Sequence, residues 1–273
     1  MSGLRAQIRT AEGWAVGNAV LTVTDMGGQQ VARAEADATG TVDTAPLSPG
    51  VYTAVLTAAG YAPVARTAQI GSEGNGSLGE IALAPMAGAV ELPPPGPWTI
   101  DPVHSTVVAT ARHLGIASIK ARFSDVGGRI TIARPVEQSS VQAEIKAASI
   151  DTGIQMRDDH LRSPDFLDVE GYPTIAFESS GLRQRGVDTW TLAGALTLHG
   201  ETRPVELDLT YGGHGPDPWG GVRAAFHAET QLHRNDFAIN YNAMVRAGVA
   251  AIGTTVKIEI DIEAVQGESL PEM

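Results

Sequence analysis

The sequence predicts an all-β protein in which a small N-terminal β-sandwich is joined by a proline-rich linker to an eight-stranded antiparallel β-barrel with one short helix. Three observations predict this. Aromatic residues make up only 5% of the chain, whereas turn-forming residues are frequent, with 31 Gly and 16 Pro. Apolar and charged residues alternate along several segments, which is typical of strands with one buried face. Four prolines within residues 93–97 separate two parts of different composition.

The N-terminal part, residues 1–88, has short alternating segments such as 20–24, separated by turn sequences every 8–12 residues or so. Such spacing predicts a small β-sandwich. The motifs resemble those of carboxypeptidase regulatory-like domains, which implies a transthyretin-like sandwich. They are Gly17-Asn18-Ala19-Val20, Asp37-Ala38-Thr39-Gly40, Leu47-Ser48-Pro49-Gly50-Val51-Tyr52 and Ala59-Gly60-Tyr61.

Residues 89–97 form the predicted linker, because clustered prolines cannot continue a β-ladder and favour a stiff extended chain. All seven histidines and all three lysines lie after residue 97. The linker therefore marks a domain boundary, followed by a barrel domain over 98–266 and a C-terminal tail over 267–273.

The barrel domain contains eight strand-like segments. Each alternating segment has to bury one face, and closing one sheet on itself does so while removing exposed edges. A two-sheet sandwich is the alternative that periodicity leaves open. The predicted strands are 99–112, 119–132, 138–148, 173–184, 188–199, 202–213, 219–233 and 252–265. One helix is predicted over 151–161, with Asp151 or Thr152 as its N-cap and Pro164 ending it.

Residues 98–265 resemble the YceI-like family of lipocalin-like, polyisoprenoid-binding proteins along their whole length. The resemblance implies an extended lipocalin-like barrel whose apolar tunnel holds an isoprenoid chain. The motifs that carry it are Ile100-Asp101-Pro102-Val103-His104-Ser105, Arg112-His113-Leu114-Gly115, Ser149-Ile150-Asp151-Thr152, the run from Arg157 to Asp168, Tyr172-Pro173-Thr174-Ile175-Ala176-Phe177, the run from Gly194 to Gly200, Asp217-Pro218-Trp219-Gly220 and Arg234-Asn235-Asp236-Phe237.

The ligand-binding wall is predicted from alternation together with this resemblance. From periodicity alone an ordinary packed core is the alternative. The predicted lining residues are Val107, Ala109, Ile145, Phe177, Leu192, Leu196, Leu207, Leu209, Phe226, Ile258 and Ile260. On the first strand the inward face is expected to be unusually small, formed by Val103, Ser105, Val107, Ala109 and Ala111.

Five cationic or titratable side chains are predicted to meet a polar head group at a rim of the barrel: His104, His113, Arg157, His160 and Arg162. An arginine there could bind a phosphate or a quinone oxygen. The alternative is an Arg–Asp–His hydrogen-bond network that fixes the helix to the barrel.

Composition excludes several function classes. A net charge of −12 makes nucleic acid an improbable partner. The absence of cysteine removes thiolate nucleophiles and Cys-ligated metals, and the histidine spacing predicts no metal site. No catalytic residue and no required cofactor are predicted. Neither a signal peptide nor a transmembrane segment is visible, so a cytoplasmic location is expected.

The sequence is compatible with three functions. The first is non-catalytic binding, transport or storage of a long-chain polyisoprenoid or isoprenoid quinone. The second is an enzyme acting on such a lipid through His104, His113 or His160. The third is an interaction module in which the N-terminal domain recruits a protein partner and the barrel is packed. A homodimer is also left open.

Overall fold

The computed structural model describes residues 3–11, 13, 15–17, 19–86, 91–218, 220–241, 244–245 and 249–271. The chain divides into two compact units, one of residues 1–89 with 184–188 and one of residues 90–183 with 189–273. Within the described ranges, no helix has the length and apolar character needed to cross a membrane.

The N-terminal unit consists of two sheets around one apolar core. One sheet has the strand order β4-β1-β7, with β1 and β7 parallel, and the other has the order β3-β2-β5-β6. Leu4, Ile8, Leu21 and Leu56 are fully buried between them. The strands are β1 (Leu4–Thr10), β2 (Val20–Thr24), β3 (Gln30–Glu35), β4 (Thr41–Asp43), β5 (Gly50–Thr57), β6 (Val64–Ile70) and β7 (Gly76–Leu83).

The second unit is a closed antiparallel barrel with additional strands. The circuit runs β8-β11-β12-β14-β15-β16-β17-β20 and returns to β8 through the pairing of Ala264 with Ile100. Its elements are β8 (Gly96–Ile100), β9 (Thr106–His113), β10 (Ala117–Phe123), β11 (Val126–Ile132), β12 (Ser140–Lys146), β13 (Ile150–Asp151), α1 (Gln155–Arg162), β14 (Thr174–Gln184), β15 (Thr189–Leu198), β16 (Glu201–Pro216), β17 (Val222–His233), β18 (Met244–Val245), β19 (Val249–Ala250) and β20 (Ile252–Gln266).

The eight-stranded barrel is confirmed, but the first two predicted strands are each broken. The first divides into β8 and β9 at residues 101–105, and the second into β10 and β11 at residues 124–125. The four pieces still form one bent hairpin, because β9 pairs with β10 while β8 pairs with β11. Both β8 and β9 pair with the long last strand β20. Beyond the bend, β10 pairs with the short β13 instead of continuing around the barrel.

A buried carboxylate holds the bend at residues 101–105. The Asp101 carboxylate accepts the Val103 amide at 2.9 Å and bonds the His104 ring at 2.8 Å. The oxygen that bonds His104, Oδ2, also lies 2.5 Å from Nη1 of Arg223. Ser105, also buried, bonds the backbone of Glu263 on β20. The strand breaks here because these side chains bind backbone groups that would otherwise enter the ladder.

The same contacts set the protonation of Asp101. Burial alone would raise its pKa, but hydrogen bonds from Arg223, His104 and the Val103 amide outweigh it and hold the pKa at about 2. Arg223 also bonds Asp217 and Glu263. The bend is therefore held by a network whose central carboxylate is charged in the folded protein.

The helix is confirmed, although it begins later than predicted. It spans Gln155–Arg162, and Ile154 at its N-cap makes no side-chain capping bond. The predicted caps are wrong: Asp151 belongs to β13 and accepts the Gly153 amide. Thr152 donates its amide and its hydroxyl to Asp158 instead. The competing acceptor on the helix removes Thr152 from the capping position.

The Asp101 network predicts an acid-dependent loss of stability. A group whose folded pKa is depressed stabilises the fold above its unfolded pKa, and that contribution disappears as pH falls through the folded pKa. A pKa moved from 3.8 to about 2 corresponds to about 2 kcal/mol. In urea titrations at pH 7, we expect the free energy of unfolding of Asp101→Asn to be lower than that of wild type by at least this amount. The difference between the two should shrink as the pH falls from about 5 to 2.

Asp125→Asn is the matched control, because Asp125 pairs with Lys146 in solvent, with half of its side chain exposed. Exposed pairs contribute about 0–1 kcal/mol. A constant stability difference between wild type and Asp101→Asn across this pH range would contradict the assigned role of Asp101.

Candidate functional site

The barrel contains an apolar cavity of about 340 Å³. One end of the barrel is filled by a side-chain cluster that includes Trp98, Trp190 and Tyr211, all at most 3% exposed. Burial raises the pKa of the Tyr211 hydroxyl. Because this aromatic end is packed, a ligand has to approach from elsewhere.

All eleven predicted lining residues lie on the cavity wall, as alternation along closed strands requires. Their part in ligand binding stays a prediction. The eleven are Val107, Ala109, Ile145, Phe177, Leu192, Leu196, Leu207, Leu209, Phe226, Ile258 and Ile260.

Small side chains give the cavity its room on one side. Ala109 and Ala111 of β9 and Ala121 of β10 all face it, and Ala109 lies opposite Ala121 in the ladder. The expectation that Val103 and Ser105 continue this inward face is wrong. Both lie in the bend, where Val103 is 67% exposed and Ser105 is buried against the backbone of β20.

The end opposite the aromatic cluster is formed by α1 and by the segment that follows β17. Leu161 and Phe166 line the cavity from the helix side, and Phe237 and Ile239 line it from the other. Phe166 contacts the rings of His160 and Tyr241, with ring centroids 5.0 and 5.1 Å away respectively. Two short segments therefore close this end by side-chain packing, whereas the walls are held by strand ladders.

Arg234 is the functional candidate that sequence reasoning missed. It lines the cavity with 6% exposure. Its Nη1 donates to the carbonyls of Ile239 (2.9 Å) and Tyr241 (2.7 Å), and Nε donates to that of Gly253 at 3.1 Å. Burial lowers the pKa of its guanidinium. Arg234 thus ties the closing segment to the barrel, and it places a buried cation at the cavity end.

The predicted rim residues do not converge on one place, and none of them lines the cavity. His104 belongs to the bend near the aromatic end, whereas His113 ends β9 beside Ile252. Arg157 bonds the hydroxyl and carbonyl of Thr152.

The other two rim residues lie on α1. Arg162 bonds the carbonyls of Ala148 and Ile150, and His160 bonds Asp165 at 2.9 Å. These contacts match the alternative reading, a network that fixes the helix to the barrel.

The wall of the cavity is almost wholly apolar. In the part of the chain that the structure describes, the polar residues on the wall are Ser139, Thr230 and Arg234, with no carboxylate or imidazole. No cluster of three potential metal ligands occurs among the described residues. The wall offers burial to an apolar molecule and one cation at its end.

Comparison with known proteins matches the barrel to a family. A profile of the YceI-like domain matches residues 98–264. The protein belongs to the YceI-like family. A UPF0312 protein of Pseudomonas putida strain W619 is 39% identical over 165 residues, which are 60% of this chain and 82% of that protein. One from Azotobacter vinelandii is 41% identical over 138 residues, 50% of this chain and 71% of the relative.

Solved structures share the YceI-like fold. BcnA of Burkholderia cenocepacia superposes with a TM-score of 0.53 at 22% identity, covering 60% of this chain and 98% of BcnA. The YCEI protein of Campylobacter jejuni superposes with a TM-score of 0.50 at 25% identity, covering 57% and 90%. The family match begins at residue 98, so the carboxypeptidase regulatory-like resemblance of residues 1–88 stays a prediction.

The role of Arg234 in closing the YceI-like barrel can be tested with Arg234→Met. The substitution leaves the carbonyls of Ile239, Tyr241 and Gly253 without this donor, so we expect a loss of about 2–4 kcal/mol in unfolding free energy. Amide hydrogen exchange should accelerate most around Ile239 and Tyr241. Arg203→Met, which removes a surface pair with Glu201, should cost less than about 1 kcal/mol. Equal effects of the two substitutions would refute the assignment.

Proposed function

We propose that the barrel binds a long apolar chain, a polyisoprenoid or the tail of an isoprenoid quinone, and carries or stores it without chemical change. The observation that carries the proposal is the apolar cavity of about 340 Å³. Leaving such a cavity empty would cost about 8 kcal/mol at about 24 cal/mol per Å³. That cost is comparable to the whole stability of a typical domain, about 5–15 kcal/mol. A bound apolar molecule offsets it.

The shape of the cavity favours a chain over a compact ring system. Along β20 the wall extends from Ile252 to Ile262, ten residue steps or about 33 Å of strand. At a strand tilt of about 40° this corresponds to about 25 Å along the barrel axis. The isoprenoid class comes from the family resemblance, and the elongated apolar wall supports it.

The wall residues also favour binding over turnover. General acid–base catalysis needs a titratable group within hydrogen-bond reach of the reacting atom. His104, His113 and His160, the histidines of the enzyme alternative, lie outside the wall. The polar head of a ligand is expected at the Arg234 end, because Trp98 and Trp190 fill the other.

The proposal is tested by native mass spectrometry and organic extraction of the purified protein, followed by uptake of a fluorescent prenyl compound. Ala109→Phe adds a ring inside the cavity, so we expect bound lipid and uptake to fall at least tenfold while the barrel stays folded. Val108→Phe adds the same ring on the outer face, since neighbouring strand residues point to opposite faces.

Uptake by Val108→Phe should match wild type. Wild-type protein that yields no extractable lipid and takes up no prenyl compound would overturn the proposed function.

A further inference from the structure

We propose that the turn joining β9 to β10 docks the protein on an anionic lipid bilayer, with the side chains of Leu114 and Ile116 inserted among the lipids. This turn, residues 113–116, is called the β9–β10 tip below. The proposal rests on the proposed function, since it names the surface from which the barrel takes its ligand.

The β9–β10 tip exposes large apolar side chains. Ile116 is 83% exposed and Leu114 is 43% exposed. On the inner face the same hairpin continues into the cavity wall, through Ala111 and Ile119. The apolar surface at the tip and the cavity wall therefore belong to one hairpin, which links a bilayer contact to the lipid-binding site.

Leu114 occupies a backbone conformation in the β9–β10 tip that is unfavourable for a bulky residue. Leu114 and Gly115 have φ values of 52° and 74°, and the Ile116 amide donates to the His113 carbonyl, which makes a tight turn with two left-handed residues. Such turns favour Asn-Gly, and the left-handed backbone conformation is strained for a bulky residue. Backbone strain of this kind clusters at functional sites.

Charge complementarity identifies the partner surface. No Asp or Glu occurs from residue 102 to residue 124, in a chain of net charge −12. On the outer face of the hairpin, Arg112 and Lys120 are exposed, and Arg112 bonds only uncharged groups of its own hairpin among the contacts described. Arg122, further from the turn, lies opposite Asp151 of β13. On the neighbouring strand β20, Lys257 lies opposite Thr110 and is paired with both Glu229 and Glu259, so it adds no positive charge to this surface.

The charged side chains of the β9–β10 hairpin itself are all basic, although the whole chain is negative. Charges beyond about 8 Å are largely screened at physiological salt, so the residues at the tip dominate its approach to a surface. Each Lys or Arg near an anionic bilayer contributes about 1 kcal/mol. Apolar side chains flanked by basic ones suit such a bilayer.

The experiment is flotation of the full chain with phosphatidylglycerol–phosphatidylcholine vesicles, compared with phosphatidylcholine alone, at low and high salt. We expect binding to the anionic vesicles that weakens with salt. Ile116→Ser should reduce partitioning about tenfold, and Arg112→Gln with Lys120→Gln about 30-fold. Leu114→Asn should reduce partitioning while raising the unfolding midpoint, because Asn relieves the strain of the turn.

Matched controls lie elsewhere on the barrel. Val103→Ser removes an apolar side chain that is 67% exposed in the bend at 101–105, and Lys146→Gln removes an exposed cation; both variants should partition like wild type. The proposal is overturned if tip variants bind vesicles as wild type does, or if they instead change the oligomeric state. If the purified protein yields extractable lipid but does not bind vesicles, the docking proposal alone is wrong. If the tip is needed for vesicle binding but the barrel contains no lipid and takes up none, the proposed function alone is wrong.

Discussion

The fold depends on one long strand pairing with two segments of another. β20 pairs with β9 through Ile252 to Asp261 and with β8 through Ala264 to Gln266. The bend between β8 and β9 lets the chain turn the corner of the barrel without losing either ladder. Asp101 makes the bend stable, because its charge is matched by Arg223 across the barrel edge. Because β8 pairs with β11 on one side and with β20 on the other, it completes the circuit of the barrel.

Closure then determines what the interior can be. Once the circuit is complete, each strand sends every second side chain inward, and the inward set is almost wholly apolar. Large inward side chains gather at one end, where Trp98, Trp190 and Tyr211 fill the space. Small ones, such as Ala109 and Ala121, lie across from each other further along. The cavity is thus a consequence of how side-chain size is distributed along a closed sheet.

Alternation was a sufficient guide to the wall but not to the bend or to the cavity end. Residues such as Leu207 and Ile258 could be assigned inward because apolar and charged residues alternate on both sides of them in the sequence. The bend at Asp101 could not be foreseen, since it depends on Arg223, which is distant in sequence. Arg234 was missed for a related reason: a charged residue is placed outside by default. Its environment comes from three backbone carbonyls, which sequence periodicity does not describe.

The two ends of the barrel are closed by different interactions, so they are not equivalent as routes to the cavity. At the aromatic end, buried rings and a network of ion pairs resist opening. At the other end, short segments are joined to the wall by side-chain packing and by the hydrogen bonds of Arg234. Local opening draws on the regions with the fewest cooperative contacts, so we expect the proposed ligand to exchange at the Arg234 end. The β9–β10 tip lies at this same end, because His113 pairs with Ile252 and the Leu114 amide donates to Ala251. The proposed ligand entry and the proposed bilayer contact therefore lie at the same end of the barrel, while the aromatic end stays packed.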